Sequence, residues 1–194
     1  MYLWIILGVV GALALWAIWA YNNFVKLVQR AEEAWADIDV QLKRRYDLIP
    51  NLIETVKGYA AHERGVFEEV TAARAKATQV HVDPSNITPE QIQAMAGAEG
   101  ALTQSLGKLL AVAEAYPDLK ASQNFSELQT ELTDTENKIQ AARRFYNTNV
   151  RDLMIALQSF PQNLIGNMFG FKEKEYFELG EGDAAAKDPV AVKF

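Results

Sequence analysis

The chain of 194 residues has no cysteine, only two histidines and no long run of basic residues. Without cysteine there is no disulfide framework, no thiolate nucleophile and no zinc site built on sulfur, an absence that suits a reducing compartment. His62-Glu63 has the opening of a helical zinc-protease motif, but Val66 stands where the second histidine is required. His81 beside Asp83 offers too few ligands for a metal. No phosphate-cradling glycine loop and no G-x-S-x-G elbow is present. The adjacent acids Glu32-Glu33 and Glu68-Glu69 point about 100° apart on a helix and cannot share a proton without tertiary help. A net charge of −6 argues against nucleic acid, which selects a clustered basic face. The expectation is therefore a protein with no catalytic residues, no cofactor, no metal and no nucleic-acid partner.

What the chain has instead is a long apolar beginning. Residues 1–25, MYLWIILGVVGALALWAIWAYNNFV, carry no ionisable side chain other than tyrosine. At about 1.5 Å per residue such a helix crosses the ~30 Å hydrocarbon core of a bilayer. Trp4 at one end and Trp16, Trp19 and Tyr21 at the other resemble the aromatic belts of spanning helices. A cleaved signal peptide would want a basic start, and Ala12-Leu13-Ala14, the nearest cleavage-like pattern, lies inside the apolar run. An uncleaved single span is expected. Lys26 and Arg30, then Lys43, Arg44 and Arg45, follow it, so the positive-inside rule places the N-terminus outside and the body in the cytoplasm. Gly8 and Ala12 form a small-xxx-small pair that would let two spans approach closely, which keeps a homo-oligomer open as an alternative.

Beyond the span the apolar spacing is helical. Leu27, Ala31, Ala34, Ile38, Leu42 and Ile49 form one stripe, and Pro50 is expected to end that helix near Leu48. A second stripe runs Leu52, Val56, Tyr59, Glu63, Val66, Val70, Ala73, Ala77, with Asp47 or Asn51 as its cap. Thr88, Pro89 and Gln91 read as a cap, first-turn proline and capping box for a third helix that reaches Tyr116, with Gly97 and Gly100 weakening its first half. The last stripe runs from Phe125 to Phe160, where Pro161 follows. The expected fold is all-α: one transmembrane helix over 1–25 continuing into an antiparallel up-and-down bundle of long helices over 26–160.

Such a topology returns the segment 161–180 to the membrane. Met168, Phe169 and Phe171 are candidates for the bilayer interface, although plugging the open end of the bundle is the preferred reading for that segment. Residues 181–194 have too little apolar content to fold and read as a disordered tail. Glu63, Thr135 and Asn149 lie on or near apolar stripes and could fix helix register, or Glu63 could sit at the edge of its stripe. Arg143, Arg144 and Asn147 cluster on the last helix, where pairing with acids of a neighbouring helix is preferred to a partner surface.

The order of these pieces is specific. A short span is followed by VQLKRRYDLIPNLIETVKGYAAHE (40–63), EAYPDLKASQNFSELQTELTDTENKIQAARRFYN (114–147) and FPQNLIGNMFGFKEKEYFEL (160–179). This series resembles the LemA family of bacterial membrane proteins as far as about Leu179. A second Tyr-Asn pair usual in that family is replaced here by Leu153-Met154. The resemblance implies a helical bundle anchored in the bacterial inner membrane, its N-terminus outside, with no established enzymatic activity. With the absences above, it leads to the expectation of a scaffold or adaptor for a protein partner in the membrane.

Overall fold

Pro50 does not end the first helix. In the computed structural model, which describes residues 1–177, helix α1 runs unbroken from Tyr2 to Lys57 with Pro50 inside it. A proline lacks the N–H that would bond the carbonyl four residues earlier, which leaves the Tyr46 carbonyl without its helical donor. Arg74, on the next helix, supplies one: its Nε–H donates to the Tyr46 oxygen at 2.7 Å. The break expected near Leu48 is therefore absent, and Asp47 and Asn51 lie within α1 rather than capping a second helix. The second stripe is divided as well. Leu52 and Val56 belong to α1, a turn covers 58–62, Glu63 is the N-cap residue of α2, and α2 spans Arg64–Gln79.

The remaining helices are α3 (Pro89–Glu114), α4 (Pro117–Lys120), α5 (Gln123–Gln158) and α6 (Gln162–Phe169), and no strand occurs among the described residues. The capping box is present as read: the Gln91 backbone N–H donates to Thr88 Oγ1 at 3.3 Å, and the Thr88 N–H donates to Gln91 Oε1 at 3.0 Å. Gly97 and Gly100 do not interrupt α3.

The all-α bundle is built by packing α1 along α5 and α2 along α3. Its apolar interior falls into three groups along α1. The distal group joins Ile49, Leu52 and Val56 to Val70, Leu102, Leu109 and Phe125. The middle group joins Trp35, Ile38 and Leu42 to Met95, Ile139, Tyr146 and Phe177. The proximal group joins Ala20 and Phe24 to Leu153, Ala156 and Ile165. Before Trp16 the side chains of α1 stand exposed, and α1 is the one described helix long and apolar enough to cross a membrane. The expected tail, 181–194, and the last residues of the segment 161–180 lie outside the described residues.

Candidate functional site

Arg45 occupies a core position. In the series Ile38, Leu42, Arg45, Ile49, Leu52, Val56 it takes the place of an apolar residue and is buried like its neighbours. On α3, Glu99 does the same between Met95 and Leu102. The two meet in a close ion pair, and the other side of the guanidinium donates to Glu136 of α5 at 2.6 Å. The Tyr46 hydroxyl donates to Glu99 in a short hydrogen bond. Burial pushes the Tyr46 phenol above its usual range, an effect partly offset by the Arg45 charge beside it. One cation thus ties together three helices. Such a junction specifies which faces meet and in what register, because a slip by one turn would strand a charge in the core.

Above this junction lies a groove of about 980 Å³ between α3 and α5. Ile38, Leu42 and Arg45 form its floor, and Ala96, Gly97, Gly100 and Ala101 its α3 wall. A side-chain carbon added at Gly97 or Gly100 would meet nothing within 4 Å, so the wall is open as well as low. Gln140, Arg143 and Arg144 form the facing wall on α5.

One end of the groove is closed by the extended segment that follows α6. Gly170 adopts a left-handed conformation (φ 72°) that L side chains disfavour, and the turn directs the chain back along α1. Lys174 then donates to the Pro84 carbonyl at 2.6 Å and pairs with Glu32 at 3.2 Å. The Tyr146 hydroxyl donates to the Glu175 carbonyl at 2.8 Å, and burial, with a smaller contribution from Glu175, pushes that phenol far above its usual range. The Asn147 amide holds Phe177 by both backbone groups: it accepts from the Phe177 N–H at 2.8 Å and donates to the Phe177 carbonyl at 3.1 Å. The Arg143 guanidinium covers the Phe177 ring at 4.5 Å, and the ring also packs at a tilt near Trp35, with centroids 5.6 Å apart.

The residues singled out from sequence are therefore dispersed. Arg143 and Asn147 share the contact with Phe177, and Arg144 is exposed on the groove wall. Glu63 lies at the start of α2, half-buried, outside this junction. Thr135 and Asn149 are buried, but each bonds its own helix, Thr135 to the Glu131 carbonyl at 2.7 Å and Asn149 to the Phe145 carbonyl at 2.9 Å. Gly8, Ala12, Trp4 and Trp19 are exposed on the apolar segment, Trp16 is partly covered, and Tyr21, Met168, Phe169 and Phe171 lie at its junction with α6. Glu99, Glu136 and Tyr46 were not singled out. For the Arg45–Glu99 pair the signal was the place skipped in each stripe: Arg45 between Leu42 and Ile49, and Glu99 between Met95 and Leu102.

Among the described residues no group of three or more His, Cys, Asp or Glu is placed to hold a metal ion. The arrangement binds helices to one another and exposes a groove; it aligns no nucleophile with a base.

The model of the LemA family matches residues 34–194. This chain belongs to the LemA family. The match begins at Ala34, in the middle group of the bundle interior, and extends past Leu179 to include the residues after it. The chain is also similar to magnetosome protein MamQ of Magnetospirillum gryphiswaldense, 26% identical over 187 residues, covering 87% of this chain and 69% of that protein. Magnetosome protein MamQ 2 of Paramagnetospirillum magneticum is 26% identical over 175 residues, covering 81% of this chain and 64% of its own length. Protein LemA of Metamycoplasma hominis is 24% identical over 161 residues, or 82% of this chain and 69% of that protein. The chain thus spans about two thirds of the length of these relatives.

Proposed function

We propose that this LemA-family protein is a membrane-anchored, non-enzymatic scaffold whose bundle stands in the cytoplasm and offers the groove between α3 and α5 to a helix of a protein partner in the same membrane. The observation that carries this reading is the groove itself. Its floor carries the Arg45–Glu99–Glu136 junction, which ties α1, α3 and α5 together and so holds the groove's two walls in a fixed relation. Ala96, Gly97, Gly100 and Ala101 keep part of its α3 wall low, beside the longer Thr103 and Gln104, which lets a second helix approach closely there. The exposed Arg144 on the opposite wall favours a partner helix carrying a carboxylate at that height. The basic residues Lys26 and Arg30 just beyond the apolar run support the cytoplasmic side for the bundle and the inner membrane of a bacterium as its site.

The size of the full chain in mild detergent or nanodiscs, with copurifying chains identified by mass spectrometry, tests this reading. A complex with a second membrane protein, lost when Gly97→Trp fills the groove, supports it. A symmetric assembly of this chain alone, disrupted by substitutions at Gly8 and Ala12 and indifferent to Gly97→Trp, replaces it with a membrane-organising homo-oligomer.

A further inference from the structure

Helix α6 packs beside the apolar segment of α1. Phe169 meets Tyr21 edge-on with ring centroids 4.9 Å apart, and Phe171 stacks on Phe24 at 5.0 Å. Gly166 lets the two helices close up, since a side-chain carbon there would lie 3.2 Å from the Phe24 ring and 3.0 Å from Leu157. Trp16 and Ala17 are partly covered by the same cluster that holds Ile165. Trp16 lies five residues before Tyr21, about 7 Å deeper along the axis. The contact between α6 and α1 therefore extends into the uncharged run of residues 1–25.

The inward face of α6 is used up by Ile165 and Gly166, both buried. Its outer side is apolar: Leu164 is 55% exposed and Met168 75%, Phe169 stays 55% exposed at the rim beside Tyr21, and Phe160 just before the helix is 80% exposed. Single exposed apolar residues are ordinary, but four large ones between residues 160 and 169, beside the bare apolar start of α1, exceed scattered exposure. Helix α6 carries no Asp, Glu, Lys or Arg, and the first charge after it is the exposed Lys172. An uncharged amphipathic turn followed by a lysine matches the boundary between acyl chains and phosphates.

We propose that α6 is a lipid-contacting foot: Phe160, Leu164, Met168 and Phe169 enter the headgroup layer of the bilayer that α1 crosses. The inference rests on α1 being a span. With α1 it makes two attachments to one surface, which fixes the rotation of the bundle and hence the direction its groove faces. Of the interface candidates read from sequence, Phe171 turns inward to plug the bundle end against Phe24, so the segment both plugs the bundle and contacts lipid.

Because the chain has no cysteine, single nitroxide labels can be placed without background. Full-length protein carrying Met168→Cys, Leu164→Cys, Ala12→Cys or Gln129→Cys would be reconstituted in phosphatidylcholine–phosphatidylglycerol nanodiscs, and the ratio of oxygen to nickel-chelate accessibility measured. All four positions are exposed, so folding is preserved. The expected result is a ratio at Met168 and Leu164 several-fold above that at Gln129 on the distal part of α5, and below that at Ala12. A lipid value at Ala12 with Met168 at the level of Gln129 overturns the foot while leaving the span intact. An aqueous value at Ala12 overturns both.

Discussion

Arg74 donates its Nε–H to the Tyr46 carbonyl, the oxygen that Pro50 leaves without a helical donor. This long-range bond carries α1 through a proline and fixes α2 against it. Arg74→Ala is expected to destabilise the protein by about 1–3 kcal/mol, the cost of an orphaned carbonyl in a half-covered site. In a Pro50→Ala background the helix supplies its own N–H and the same substitution should cost clearly less. Chemical denaturation of the four proteins of this cycle in mild detergent measures the difference; equal costs in both backgrounds would remove the link between the two residues.

The Arg45 junction makes the opposite kind of prediction. Arg45→Ala leaves Glu99 buried without its cation and is expected to cost about 3–5 kcal/mol. Replacing Arg45, Glu99 and Glu136 together by Met, Leu and Leu should recover most of that loss. Helix register in the triple variant is the informative reading: distance measurements between labels on α3 and α5 should broaden relative to the native chain. A narrow, native distribution would mean that the apolar stripes alone set the register.

Asn147→Ala removes both bonds to Phe177 and should release the segment that closes the end of the groove. Amide exchange at Glu175–Phe177 is expected to rise by at least tenfold, corresponding to roughly 1.4 kcal/mol or more of local opening, while exchange in the middle of α1 stays unchanged. Uniform acceleration throughout the bundle would instead make Asn147 a determinant of global stability.

Both Tyr46 and Tyr146 have phenols whose folded pKa lies above the ordinary value of about 10. The unfolded chain loses these protons first, so the stability they contribute is complete below pH ~10 and is lost as pH rises through and beyond that value. Comparing absorbance titrations of the native chain with Tyr46→Phe and Tyr146→Phe should show that these two phenols stay protonated beyond pH ~10 and are released together with helix loss. Tyr146→Phe should be less stable at neutral pH by about 1 kcal/mol, for want of the bond to the Glu175 carbonyl, yet lose less on going to alkaline pH.

The helical class, the capping box at Thr88 and the long α5 were legible because each follows from local spacing or local chemistry, and the approach of the segment after Pro161 to the apolar segment because it follows from the up-and-down order of the helices. The continuity of α1 was not. A proline inside a helix leaves one carbonyl without its helical donor, and nothing near Pro50 in sequence announces that Arg74 supplies another. Arg45 and Glu99 were obscured for a related reason: a charged residue on a core stripe reads as a gap until its partner on another helix is known. Asn147 drew attention as part of a polar cluster, yet its partner is the backbone of Phe177, which carries no polar side chain to suggest the pairing.

The groove between α3 and α5 is the centre of the functional reading, and photo-crosslinking from it is the most direct measurement. A photoreactive residue at Gly100 in the full chain, expressed in its membrane, is compared with one at Gln129, both exposed. The expected result is a crosslink from Gly100, absent from Gln129, to a helix of one other membrane protein that carries a carboxylate near the attachment point, abolished by Gly97→Trp. Crosslinks from Gly100 only to other copies of this chain, or the same products from both positions, would contradict a partner helix in the groove.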